Sequence, residues 1–216
     1  MGGAFFASLV YAKMGAAMIG VDFWYEFASS YSYPAAMRIE NVARERGVGV
    51  NWRPFLVAPI FIAQGWRDSP FNIYAAKGRY MWRDMERICA RLGLPLHRPM
   101  PFPQNSLLAA RAALALAPDK RPAFSRAVYA AEFGEGRQIG ERGDIAALVE
   151  SIGEDSERVL ERALSPENKD ALKSESARAA ELGLPGAPCV VTADGEVFWG
   201  NDRVEEALDW ARGRAA

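Results

Sequence analysis

Histidine occurs once in the 216 residues, at His97, and cysteine only twice, at Cys89 and Cys189. These shortages exclude several chemistries. One histidine and two distant cysteines cannot supply the four ligands of a structural zinc site, and they make no disulfide framework. No CxxC pair is present, so a two-thiol exchange centre lacks its resolving partner. A Ser-His-Asp triad would have to use His97, which sits in the loop LPLHRPMP with nothing beside it to orient a ring. Charge of one sign is missing as well. The 26 basic and 27 acidic residues leave a net charge of −1, which gives no footprint for nucleic acid or an anionic membrane. The apolar opening MGGAFFASLVYAKMGAAMIG is interrupted by Lys13 and is too short to span a bilayer. It also lacks the basic region of a secretory signal. Two readings of residues 1–19 stand: an extension, expected to be disordered, before a domain that begins near Met18, or a targeting segment. There is no internal repeat and no low-complexity tract.

Half the residues are hydrophobic and a quarter are charged, which suits a soluble globular chain. The length suits one large domain or a compact domain with an insertion. VDFWYEF (21–27) is β-branched and aromatic and predicts a buried strand. A helix follows, with Pro34 in its first turn and Gly47 as its stop. VGVNWRPF (48–55) predicts a second strand ended by Pro54. A β-α-β start of this length implies a parallel pair. From about Ala58 to Leu182 the periodicity is helical. YAAKGRYMWRDMERICARLG puts Tyr80, Met81, Met85, Ile88 and Leu92 on one stripe, and five further amphipathic stretches follow, RPAFSRAVYAAEF among them. Strand signals return at CVVT and EVFWG, joined by ADG, and VEEALDWARGR closes the chain as a helix. The two strand-bearing ends must pair, because neither could bury a sheet alone. The expected organisation is an extension over 1–19, an α/β domain from 20–57 and 183–216, and a helical insertion over 58–182.

Chemistry concentrates at three turns. FASSYSYPA places Ser29, Ser30 and Ser32 where strand becomes helix. Hydroxyls there can cap the helix, and the helix start can also hold an anion. LPGAPCVV puts Pro188 at the mouth of a strand, where its missing N–H needs an explanation; the ordinary one is a loop proline, with Cys189 a core residue. WGNDRVEEAL places Asp202 and Glu205 at the spacing of a capping box. Lys77, in AAKGRYM, reads as a surface lysine.

Together DFWYEFASSYSY, WRPFLVAPIF, AAKGRYMWRDMERICARLGLP, FPQNSLLAARAAL, GLPGAPCVV and FWGNDRVEEAL resemble the 2-hydroxychromene-2-carboxylate isomerases and the related kappa-class glutathione transferases, over about Val21 to Arg212. The resemblance implies a DsbA-like thioredoxin fold with a large all-helical insertion, in which SSYS (29–32) replaces the redox CxxC. It implies glutathione as cofactor. Ser29 would support the sulfur and serve as the catalytic residue. Ala187, before a cis Pro188, would pair with the cysteinyl part. Asn201 and Asp202 would meet the γ-glutamyl end, and Lys77 would meet the peptide. Ser30 departs from the pattern, standing where the family usually has proline. The implied activity is a glutathione-dependent isomerisation between a cyclic hemiketal aromatic acid and its open-chain unsaturated keto acid. Alternatives are a kappa-class-like glutathione transferase and a non-redox DsbA-like binding protein. Also implied are a small aromatic keto-acid substrate, a homodimer and a cytoplasmic location, with neither nucleic acid nor membrane as partner. The substrate is expected between the α/β core and the helical block, with Trp66, Tyr80 and Trp82 as wall candidates.

Overall fold

The computed structural model describes residues 19–214; the expectations for residues 1–18 lie outside them. Strand β1 (Gly20–Tyr25) leads through a short turn to helix α1 (Ser32–Glu45) and then β2 (Gly49–Pro54). A helical block follows: α2 (Ala58–Ala63), α3 (Pro70–Ile73), α4 (Ala75–Leu92), α5 (Leu107–Ala115), α6 (Arg121–Tyr129), α7 (Arg142–Ser151), α8 (Ser156–Leu164) and α9 (Pro166–Glu181). The chain returns to the sheet as β3 (Cys189–Thr192) and β4 (Val197–Trp199), then ends on α10 (Val204–Arg214). The sheet order is β2-β1-β3-β4. β1 is parallel to β2 and antiparallel to β3, so the two ends of the chain do build one sheet. No described helix is long and apolar enough to cross a membrane.

Strand periodicity decides the two cores. Val21, Phe23 and Tyr25 point to the face covered by α1 and α10, where Ile39, Val204 and Leu208 are buried with them. Phe124 and Tyr129 of α6 extend the same core into the helical block. Aromatic packing joins the two parts: the Tyr129 ring of α6 lies 6.3 Å from Tyr25 and 5.3 Å from Phe27. Such pairs add about 0.5–1.5 kcal/mol beyond area burial. The Tyr25 hydroxyl meets Ser125 Oγ at 2.7 Å, so its buried polar end has a partner. Trp24, Cys189 and Val191 point to the opposite face, against Phe55, Ile60, Leu184 and Ala179 of α9. Helix α9, which its sequence position groups with the insertion, thus packs directly on the sheet. Cys89 and Cys189 are both buried and free.

Two helical expectations need correction. The buried line of α4 is Gly78, Met81, Met85 and Cys89; Tyr80 is 63% exposed and Leu92 36%. The helix is rotated from the expected stripe because Gly78 sits against the Phe71 carbonyl. A Cβ at that position would come 2.3 Å from Phe71 O. RPAFSRAVYAAEF is not one regular helix either: α6 ends at Tyr129 and the chain continues as a single π-turn, Ala130–Gly134.

Candidate active site at the start of helix α1

The turn between β1 and α1 is held from beneath by Glu26. This carboxylate is 4% exposed. It accepts from Val57 N at 3.0 Å, weakly from Ala28 N at 3.4 Å, and from the Ser106 hydroxyl. Its main-chain carbonyl accepts from Tyr129 OH at 2.9 Å and from Ser29 N at 3.0 Å. One residue therefore ties the turn to the β2–α2 connection, to the start of α5 and to α6. Burial raises the Glu26 pKa, and the hydrogen bonds its carboxylate receives, that of Ser106 foremost, oppose that rise.

Each hydroxyl of the turn has its own setting. Ser29 is half-buried, and its Oγ donates to Ala187 O at 2.9 Å. It accepts from Ser32 N only at 3.4 Å, a poor capping contact. Ser30 is buried and donates to Met81 Sδ at 3.0 Å, fastening the turn to α4. Ser32 is fully buried. Tyr31 OH donates to Asp84 Oδ2 at 3.1 Å, and its ring lies 6.2 Å from Phe71. Burial first, then the neighbouring carboxylates Asp84 and Asp202, push the Tyr31 phenol up, so it keeps its proton. The first turn of α1 is thus capped by backbone, with Ser32 N and Tyr33 N donating to Ser29 O and Ser30 O.

The other two turns come to this one. The Ala187–Pro188 bond is cis, as are Met100–Pro101 and Phe102–Pro103 in the loop after α4. Pro188 O accepts from Gly200 N at 2.9 Å, which brings Asn201 and Asp202 alongside. Gly200 has φ 117°, and a Cβ there would stand 2.5 Å from Asp202 Oδ1, so only glycine fits. Asn201 is 3% exposed. Arg38 Nε donates to its Oδ1 at 3.0 Å, and other Arg38 nitrogens reach Asn201 O and Glu205. Glu205 is pulled up by partial burial, but the Arg38 hydrogen bond and charge outweigh that and lower it overall. The Asp202 carboxylate is 80% exposed, 3.9 Å from Arg203.

The structure joins Ser29, Ala187 and Pro188 directly, and Asn201 and Asp202 through Gly200. Lys77 stands apart on the exposed side of α4, its Nζ 4.6 Å over the Tyr74 ring. Of the aromatic wall candidates, Trp66 packs on Phe61, Trp82 on Phe102, and Tyr80 carries Arg87 over its ring. Glu26 and Arg38 were missed by sequence reasoning. For Glu26 there was a signal, since one acid at the end of an apolar strand must find donors. Arg38, on an amphipathic helix, looks like any solvated arginine.

A four-stranded mixed sheet with helices on both faces and a helical insertion defines a thioredoxin fold of the DsbA type. Residues 20–209 match the family model of the DSBA-like thioredoxin domain, and the chain belongs to that family. It is 29% identical over 185 residues to a 2-hydroxychromene-2-carboxylate isomerase of Sphingobium xenophagum, covering 86% of this chain and 94% of the relative. It is 27% identical to glutathione S-transferase kappa 1 of Homo sapiens, covering 86% and 87%. A solved 2-hydroxychromene-2-carboxylate isomerase superposes with a TM-score of 0.81 at 26% identity, over 91% of this chain and 95% of that one. These relatives are named as isomerases and a transferase.

Proposed function

We propose that this protein is a glutathione-dependent isomerase, acting on an aromatic-derived unsaturated keto acid and its cyclic hemiketal, as its isomerase relatives' names suggest. The observation that carries the reading is the 2.9 Å contact between Ser29 Oγ and Ala187 O. It sets a hydroxyl at the start of a 14-residue helix beside the extended segment before Pro188. The residues present suit a γ-glutamyl thiol. The α1 N-terminus favours an anionic sulfur, Ala187 offers main-chain groups to a peptide, and the exposed Asp202 carboxylate suits an ammonium group. Asn201 Oδ1 is engaged by Arg38, which leaves its Nδ2 to offer. Lys77 meets the peptide only if it leaves the Tyr74 ring.

Bound glutathione would supply a thiol that adds reversibly to a conjugated carbon, allowing the former double bond to rotate before elimination. Ser29 turns its hydroxyl from Ala187 O toward the sulfur and stabilises the thiolate without reacting. Glu26 keeps the turn in place while that hydroxyl rotates. Tyr31 remains a neutral wall, its proton committed to Asp84. The kappa-class relative supports a transferase as the second reading. Following 2-hydroxychromene-2-carboxylate by ultraviolet absorbance while assaying free thiol decides between them. Isomerisation with no net glutathione loss is expected. Stoichiometric consumption would give the transferase, and no turnover with either readout would leave a binding protein. The expected homodimer and cytoplasmic location belong to this same proposal.

A further inference from the structure

A second region, on the α9 face of the sheet, has the character of a binding site. A cleft of about 640 Å³ opens between α2, the start of α5 and α9. Its walls are apolar: Leu56, Ile60, Leu172 and Leu184 all line it. None of Ser29, Lys77, Ala187, Asn201 or Asp202 does. The charged groups along it are of one sign. Arg111, Lys169 and Lys173 line the cleft, and no aspartate or glutamate does, in a chain whose overall charge is nearly balanced. Lys173 is paired with Asp170 at 2.9 Å. Arg111 and Lys169 form no ion pair among the described residues. Arg111 Nε is buried there without a hydrogen-bond partner.

Arg111 lines the cleft with no ion-pair partner among the described residues, and a guanidinium beside an apolar wall is favoured when an acceptor meets its outer nitrogens. Clefts of this size, apolar with a few fixed polar groups, suit small molecules. We propose that this cleft binds a monoanion with an apolar body, an aryl or alkyl carboxylate, at a site separate from that of Ser29. The carboxylate lies against Arg111 and Lys169, and the body lies along Leu56, Ile60 and Leu172. Planar guanidinium and carboxylate match in geometry. The inference does not rest on the reading of the Ser29 site.

The test uses the full chain and the fluorescence of 1-anilinonaphthalene-8-sulfonate, itself an apolar anion. Displacement by 2-naphthoate and by decanoate is compared with displacement by the matching alcohols. Each acid is expected to compete at least about ten-fold better than its alcohol, and the order of the two acids tells ring from chain. Arg111→Gln combined with Lys169→Gln should bring the acids down to the level of the alcohols. Ala177→Trp, at an exposed lining position of α9, should block both acids and alcohols without disturbing the core. The proposal is overturned if acids and alcohols compete equally, or if the double variant keeps wild-type affinity. Displacement of the probe by reduced glutathione would merge the cleft with the other site and overturn it too. A signal that fades as sedimentation shows self-association would assign the cleft to a second copy of the chain, which also overturns it.

Discussion

Glu26 and Glu132 are both carboxylates withdrawn from water, at 4% and 0% exposure, yet their surroundings are opposite. Glu26 lies at the strand-to-helix turn, with donors from three directions. Glu132 lies in the π-turn after α6, and neither of its oxygens has a hydrogen-bond partner among the described residues. Burial, and then the charge of Glu26, hold the Glu132 pKa well above the ordinary carboxylate range. The same residue type is thus a structural clamp in one place and, in the other, an unpaired side chain whose burial favours its neutral form. Satisfaction of buried polar atoms, not burial, makes the difference. A π-turn carries one extra residue in the helical spiral, a common mark of sites kept at some cost in stability.

The comparison can be broken in four ways. Glu26→Leu should have the largest effect, because it leaves Val57 N and the Ser106 hydroxyl without their buried acceptor. At about 1–3 kcal/mol per orphaned group, roughly 2–6 kcal/mol of stability should go, with turnover lost as the turn loosens. Denaturant unfolding measures the first; a wild-type midpoint would mean the clamp is incidental. Ser29→Ala should separate chemistry from scaffold. Turnover should fall by about 10–1000-fold, equivalent to about 1.4–4 kcal/mol, while stability should fall by only about 0.5–1.5 kcal/mol, for the lost bond to Ala187 O, the contact to Ser32 N being weak. Titrating the absorbance of the bound cofactor thiolate against pH in both proteins gives the direct readout. Superimposable curves with full activity would remove Ser29 from the mechanism.

Glu132→Met should stabilise, since an apolar side chain of similar length replaces an unpaired carboxyl; a gain of about 1–3 kcal/mol is expected. The gain should depend on pH. The folded pKa is raised, so as pH climbs past about 4.3 the unfolded chain releases its proton first. The wild type should then lose stability through a window that begins there and ends at the folded pKa. The advantage of Glu132→Met should be smallest near pH 4 and grow as pH rises through that window, by thermal unfolding at several pH values. An advantage that is flat with pH would mean that packing alone explains it. Asp202→Asn should have the smallest effect. Its carboxylate is mostly in solvent, so the lost contact to an ammonium group is screened and worth about 0.2–1 kcal/mol in glutathione affinity by calorimetry. No change would leave Asp202 outside the site.

Legibility in the sequence followed the range of the interactions. VDFWYEF, the helix stopped by Gly47 and the hairpin around ADG were readable because local pattern and turn chemistry agree there. The meeting of FASSYSYPA with LPGAPCVV spans 158 residues, and no local pattern carries it; it came from the resemblance. The rotation of α4 was unreadable because it depends on a backbone contact between Gly78 and Phe71. The π-turn was hidden because YAAEF has the composition of a plain helix. The cationic cleft was hidden for another reason: Arg111 and Lys169 lie on different helices, each ordinary by itself.

The sheet's two edges bear on how the chain behaves in a crowd of its own copies. An open edge strand is a template on which another chain can add a strand. β4 is three residues long and too short to template a stable ladder. β2 ends on Pro54, which has no N–H to offer. Arg121 Nη1 donates to Trp52 O at 3.0 Å, and Arg53 and Asn51 make side-chain bonds to Asp22 and Glu175. With one edge short and the other fastened by side chains, the four-stranded sheet is guarded against edge-to-edge aggregation.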